Sequence, residues 1–422
     1  MTTGVFEATI PEAEQAKMGA SRRLVVRRPI LDLHGRVHAY ELLFRFGPEL
    51  FPRGIAQEAS PTALEDAAEF GLEELTGGVP AHVRWAEEAM TGNPRWILPP
   101  PMTVLEIPNS LEPAPELPSK LRKLKALGFR LALDKFSGKP QFEPLVDLAD
   151  CIKLDFRSTG RPERRALLDR LRGKTAAMLA QNVDTLEEYR LAQEEGFTLF
   201  QGYYFCQPAP SMKDRKVPAN RIAHIEILRQ LQYDPMDLKK IARLVERDAA
   251  LTFALLRLVN SPIFATRQEV DSVKAALIAV GENRFRRIAM LAIAREFNDD
   301  QPAEILRMAI LRARFCEMAA PNCGLGLFEQ YVLGLLSLLP AMLCQPMSQL
   351  TPTLPLRLEI RNALEGTKNR DRALLGWLES HERGDWAACD AIAQAENLDI
   401  QELANRYIEA VAWAEAALRS VT

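Results

Sequence analysis

Between residues 104 and 205 the chain keeps repeating one alternation. A short apolar, β-branched-rich run is followed by an amphipathic stretch at helical spacing. Val104–Ile107, Arg130–Leu133, Cys151–Leu154, Ala176–Leu179 and Leu199–Phe205 read as strands; Leu121–Leu127, Glu163–Arg172 and Leu186–Glu195 read as helices. This alternation predicts parallel strands joined by crossover helices, an α/β barrel of the TIM-like class. In such a barrel the chemistry sits at the C-terminal ends of the strands. Glu106, Asp134, Asp155 and Gln181 fall at or just past those ends. The segment is shorter than the usual ~250 residues. Trimmed outer helices are therefore expected, notably in the proline-rich stretch Pro94 to Pro118.

The second half reads differently. After Pro208-Ala209-Pro210 a basic, polar stretch from Lys213 to Pro218 has the composition of an inter-domain linker. Beyond it, Asn220–Gln232, Pro235–Val245, Ala249–Asn260, Ser272–Val280, Asn283–Phe297, Ala303–Ala320 and Leu327–Leu339 carry apolar residues at helical spacing. Asp234 before Pro235, and Asp271-Ser272 before Val273, are the expected helix starts. Leu374–Leu418 resumes the helical period with Trp377, Trp386 and Trp413, read as core or inter-domain packing. The expected organisation is a tail over 1–22, a barrel over 23–209, a linker over 210–219 and an all-α domain over 220–422.

Particular motifs narrow the barrel further. They are Arg28-Pro29-Ile30-Leu31-Asp32-Leu33, Gly35-Arg36-Val37, Tyr40-Glu41-Leu42-Leu43-Phe44-Arg45, Leu105-Glu106-Ile107 and Leu124 to Gly138. Asp150 to Asp155, Ala180 to Thr185, and Gln201-Gly202-Tyr203-Tyr204-Phe205 with Pro208 follow in order. Together they resemble the EAL domain, whose active members hydrolyse cyclic di-GMP, and the name triplet here reads Glu41-Leu42-Leu43. The resemblance implies a barrel-mouth site for two divalent cations, which activate water and neutralise phosphate. The family's site uses the glutamate of the name motif, an asparagine, a second glutamate, paired aspartates and a late glutamate, assisted by a lysine and a glutamine. Carried over, Glu41, Glu106, Asp134, Lys153 and Gln201 remain, and Arg45 matches a phosphate-contacting arginine.

Three positions depart from the pattern. Arg84, in Ala81-His82-Val83-Arg84-Trp85, stands at the asparagine; Lys135 replaces the second aspartate; Gln181 replaces the late glutamate. These changes add one, two and one positive charges, a shift of +4. At ~4 Å and an effective dielectric of ~20, a unit pair is worth about 4 kcal/mol, and a divalent ion beside a lysine would feel roughly twice that as repulsion. No catalytic residue and no resident metal are therefore expected; Mg²⁺ or Mn²⁺ enters only if residual phosphodiesterase activity survives. Glu41, Glu106 and Asp134 are expected to be neutralised by Arg84, Lys135 and Lys153, since buried charges must be paired.

The helical half carries Leu228 to Leu231, Leu238 to Ala242, Asp248 to Leu251, Leu255 to Ser261 and Val273 to Gly281. These resemble the HDOD domain, a signalling module related to HD-type metal phosphohydrolases. The relatives' His-Asp pair follows a Gly-Leu-Leu run, whereas here Gly334-Leu335-Leu336 leads to Ser337-Leu338, which offers no imidazole–carboxylate pair. His224 is expected to be a surface or capping residue.

Composition closes off other classes. The 422 residues carry a net charge of −3, against the basic excess of a nucleic-acid binder. Six scattered cysteines without CxxC spacing fit a reduced, cytoplasmic compartment. Tyr331–Leu343, the most apolar run, is too short for a bilayer, and residues 1–22 lack the apolar core of a secretory signal. The expected function is signalling through protein–protein contact by a degenerate EAL barrel and an HDOD domain. The alternatives are a non-hydrolysing cyclic di-GMP receptor and a residual phosphodiesterase.

Overall fold

A computed structural model describes residues 24–45, 71–84, 99–208, 219–233, 235–264, 269–299, 301–354 and 356–421. The expected tail and most of the expected linker lie outside these residues.

Eight strands close into a barrel in sequence order: β1 (Leu24–Asp32), β2 (Val37–Arg45), β3 (Ala81–Arg84), β4 (Thr103–Pro108), β5 (Arg130–Asp134), β6 (Cys151–Asp155), β7 (Ala177–Gln181) and β8 (Leu199–Phe200). Between them lie α1 (Leu72–Thr76), α2 (Leu117–Ala126), α3 (Glu143–Val146), α4 (Arg161–Leu171) and α5 (Leu186–Glu195). The start of α5 is fixed by a capping box: the Glu188 amide donates to the Thr185 hydroxyl while Glu188 accepts from the Thr185 amide. In the proline-rich stretch where trimming is expected, α2 keeps ten residues and residues 94–98 lie outside the described residues; the outer helix cut to four residues is α3.

Two expectations need correction. The barrel is not wholly parallel, because β1 runs antiparallel to both β2 and β8. The cause is a tight turn over Asp32–Arg36. Asp32 Oδ1 accepts from the His34 and Arg36 amides, and Gly35 supplies a φ of 71°. A turn of four residues, 33–36, reverses the chain, where a parallel partner needs a crossover. The final strand is also shorter than Leu199–Phe205: β8 ends at Phe200, and Tyr204–Cys206 form a 3₁₀ turn.

Inward-facing Ile30, Ala39, Val104, Ala132, Cys151, Leu179 and Leu199 fill the lower barrel interior. This apolar plug leaves the C-terminal ends of the strands as the place for polar side chains.

The chain from Ala219 is helical: α6 (Ala219–Leu231), α7 (Leu238–Glu246), α8 (Ala249–Val259), α9 (Val273–Val280), α10 (Glu282–Phe297), α11 (Ala303–Ala319), α12 (Leu327–Leu336) and α13 (Leu339–Leu343). It continues through α14 (Met347–Leu350), α15 (Leu358–Leu364), α16 (Arg372–Arg383), α17 (Trp386–Glu396) and α18 (Ile400–Val421). Ser272 caps α9, as its sequence position predicts. α7 begins later than Pro235, because Asp237 accepts the Lys240 amide and sets the start there. His224 is buried rather than superficial, with Nε2 2.8 Å from Asp248 Oδ2. Trp377 is fully buried and stacks on Phe315 at 5.6 Å. No helix among the described residues is long and apolar enough to cross a membrane.

Gly334 explains how α11 and α12 pack. A Cβ there would lie 2.3 Å from the Arg312 carbonyl oxygen on α11. Backbone cannot swing aside as a side-chain tip can, so Gly334→Ala must push the helices apart. The expected loss is about 1–3 kcal/mol, read as a lower urea midpoint at unchanged slope. An unchanged midpoint would show that this contact is not close.

Candidate functional site

The site is built from polar side chains that successive strands turn towards the barrel axis. Glu41 comes from β2, Arg84 from β3, Glu106 from β4, Asp134 from β5, Lys153 from β6 and Gln181 from β7. Gln201 follows β8 directly. Strand alternation turns these side chains into the barrel while their neighbours enter the surrounding core. Glu41, Glu106, Asp134, Lys153, Gln181 and Gln201 are all buried.

Lys153 holds the centre. Its Nζ donates to Glu41 Oε1 at 2.8 Å and makes a still closer contact with Glu106 Oε1. Arg84 Nη2 donates to Asp134 Oδ2 at 3.0 Å. Glu41 Oε2 accepts from Gln201 Nε2 at 3.0 Å, and Gln181 Nε2 reaches Gln201 Oε1 at 3.4 Å. The expected pairing of Glu41, Glu106 and Asp134 with basic partners is therefore present.

One partner was misassigned. Lys135 is exposed, with a φ of 51°, and has no ion pair among the described residues. The backbone turns just past Asp134 and carries Lys135 into solvent. The third cation is Arg28, whose Nη1 lies 3.4 Å from Glu41 Oε2 and whose Nη2 donates to Asn182 Oδ1 at 3.3 Å. The register explains it: Arg28 pairs with Glu41 across β1 and β2, and Glu41 with His82 across β2 and β3. Arg45 also lies apart from the cluster. It makes a bidentate pair with Asp390 at 2.9 and 2.6 Å, beside the Trp386 ring. A partner 345 residues away leaves no local sequence signal.

His82 was missed as well. Its Nδ1 is 3.0 Å from Glu106 Oε1. Burial, then Lys153, hold the imidazole well below its ordinary range, so it is neutral. A lone histidine in an apolar strand gave no warning of this.

The protonation pattern follows from burial and neighbours. Burial alone would raise Glu41, but Lys153 and Arg28 outweigh it and hold its carboxyl well below the usual range. Burial pushes Glu106 up to about 8, against Lys153, with Glu41 and Asp134 adding to the rise. Burial would lower Lys153, but Glu106 and Glu41 raise it, so it stays an ammonium. One ammonium thus faces two carboxyls, and Glu106 is the one that keeps a proton.

Glu41, Glu106 and Asp134 present oxygens within 4.8 Å of one another, the geometry of a cation site. Glu106 Oε2 and Asp134 Oδ1 are buried with no hydrogen-bond partner. These three carboxyls could hold one divalent ion, and the Lys153 ammonium already lies against two of them.

Family models match both parts of the chain. Residues 88–208 match the model of the EAL domain, and residues 218–352 match that of the HDOD domain. The first match takes in Glu106, Asp134, Lys153, Gln181 and Gln201 but not Glu41 or Arg84. YuxH of Bacillus subtilis is 29% identical over 403 residues, 93% of this chain and 98% of its own. The cyclic di-GMP phosphodiesterase CdgJ of Vibrio cholerae is 27% identical over 398 residues, 93% of this chain and 92% of its own. Among solved structures, the Klebsiella pneumoniae BlrP1 calcium/cy-diGMP complex is 22% identical, covering 44% of this chain and 56% of that one, with a TM-score of 0.37.

The Glu106 carboxyl gives a pH prediction. Its folded value lies above the ordinary 4.5, so between 4.5 and about 8 the folded chain binds a proton that the unfolded chain releases. Its contribution to stability is complete below 4.5 and is lost as pH rises towards 8. Glu106→Gln should remove that loss. The stability difference between wild type and variant, from urea midpoints, should change across this window; a constant difference would contradict the assignment. Lys153→Met, which strands two buried carboxyls, should cost about 3–5 kcal/mol near neutral pH.

Proposed function

We propose that this chain, an EAL–HDOD signalling protein, carries a barrel that does not turn over cyclic di-GMP and acts through protein–protein contact. The observation that carries the reading is Arg84, which stands where the family pattern has a metal-binding asparagine and donates to Asp134 Oδ2 at 3.0 Å. Phosphodiester hydrolysis on two cations needs their charge at the scissile phosphate and their bound water as nucleophile. Here a protonated lysine and Arg84 supply the positive charge, and neither generates hydroxide. Gln181 and the solvent-directed Lys135 remove two further anionic ligands from the family pattern.

A second reading has its own support. Glu41, Glu106 and Asp134 converge, and two of their oxygens lack partners. A single divalent cation held there would act as a Lewis acid, and CdgJ bears the name of a phosphodiesterase. Under this reading Gln201 orients Glu41, while Arg28 and Arg84, both partly exposed, face the phosphates of a bound dinucleotide. The same two arginines would also serve a receptor that binds without hydrolysis.

The deciding experiment is titration of the protein with cyclic di-GMP, with and without Mg²⁺ or Mn²⁺, following both heat and linear product. No product is expected under any condition. Heat without product assigns the receptor role. Sustained metal-dependent turnover that Glu41→Ala abolishes would overturn the proposal in favour of the single-cation enzyme.

A further inference from the structure

The outer face of the β1–β2 hairpin is covered in an unusual way. A (β/α) barrel ordinarily covers each strand with its crossover helix. A tight turn joins β1 to β2, so no helix lies between them. Helices α11, α16 and α18 of the second domain pack there, beside α1 of the barrel.

The contact is polar, buried and continuous. Arg27 Nη1 donates to Glu415 Oε1 at 2.7 Å and to the Leu75 carbonyl at 2.9 Å. Arg307 Nε donates to the same Glu415 oxygen at 3.1 Å, and its Nη1 to Glu304 Oε2 at 3.3 Å. The Tyr40 hydroxyl donates to Glu304 Oε2 at 2.8 Å, and the Arg27 guanidinium lies 4.8 Å from the Tyr40 ring. The Arg27 amide donates to the Tyr407 hydroxyl at 3.4 Å. At the rim, Arg45 grips Asp390, and an added Cβ on Gly384 would meet Leu43 at 3.1 Å.

Residues 27 and 40 point outward into this network; residues 28 and 41, next to them on the same strands, point inward into the carboxylate cluster. Strand alternation makes the two sides one rigid piece. Nothing soft separates the Arg27–Glu415 pair from the Arg28–Glu41 pair.

We propose that the helical domain is the outer wall of the first hairpin, and that Arg27, Tyr40, Glu304, Arg307 and Glu415 are positioning residues for Arg28 and Glu41. Displacing the helical domain then repositions the barrel mouth. The device makes the mouth responsive to whatever binds the helical domain, and it stands whether or not the mouth turns over a substrate.

The test reads the mouth directly in the full chain. Protein labelled with ¹⁵N-glutamine reports the side-chain amide of Gln201, which donates to Glu41; its resonances are assigned by their loss in Gln201→Glu. Gln193, bonded to the Tyr189 hydroxyl on the barrel exterior, serves as an internal control. Glu415→Gln and Glu304→Gln should each displace the Gln201 amide and leave Gln193 in place. Asp390→Asn, at the partly exposed rim, should displace it less and is the variant that tests the idea if the buried ones do not fold. Gln201 resonances unmoved in every folded variant would overturn the proposal. So would equal displacement of Gln193, which would mean general loosening rather than transmission through the hairpin.

Discussion

A single buried ammonium organises the barrel mouth. Lys153 lies within hydrogen-bond reach of carboxylates from two other strands, and all three groups are removed from water. Desolvating such ions costs several kcal/mol each and is offset only by close, well-oriented partners. The mouth therefore tolerates little error in strand register. β2, β4 and β6 must each deliver one residue to the same point; Gln201, His82, Arg28 and Arg84 pair with other oxygens of the cluster, while Glu106 Oε2 and Asp134 Oδ1 have no partner. The apolar layer below, with Val104, Ala132 and Leu179, keeps water from entering from beneath.

The same strands tie the two domains together. β1 has no crossover helix after it, and beside α1 the helical domain covers the hairpin with buried ion pairs rather than a smooth apolar face. Arg27, Glu415, Arg307 and Glu304 balance in charge, so none is left as an isolated ion. Buried, mutually satisfied pairs of this kind fix one docking geometry, because a shifted one leaves charges unpaired. The helical domain brings no imidazole–carboxylate pair at Ser337-Leu338. Ser337 instead donates to the Gly334 carbonyl and accepts from Arg312, which in turn pairs with Glu382.

What could be read from the sequence follows from the range of each interaction. Asp134 and Glu106 were legible because an apolar strand ending in an acid is a local pattern, and Ser272 because a cap acts over three residues. The β1 reversal was within reach too, since Asp32 and Gly35 sit in a short polar turn between two apolar runs. Arg28 was hidden inside the opening Arg-Arg-Pro-Ile stretch, where only the strand pairing decides which arginine faces inward. His82 looked like an isolated histidine until β4 was placed beside β3. The role of Arg45 depends on Asp390, and that of Arg27 on Glu415; no local spacing signals either pair. Lys135 was misread for the opposite reason, because neighbouring positions in a chain need not share a face.

The central claim is that Arg84, paired with Asp134, keeps a divalent cation out of the barrel mouth. Its most direct test is the number and affinity of Mn²⁺ ions bound, measured by electron paramagnetic resonance on wild type and Arg84→Asn. The account predicts no stoichiometric Mn²⁺ on the wild-type chain and one bound ion on a folded Arg84→Asn, where the freed Asp134 carboxylate can coordinate it. Tight, stoichiometric binding of Mn²⁺ by the wild-type chain, abolished by Glu41→Gln, would contradict it.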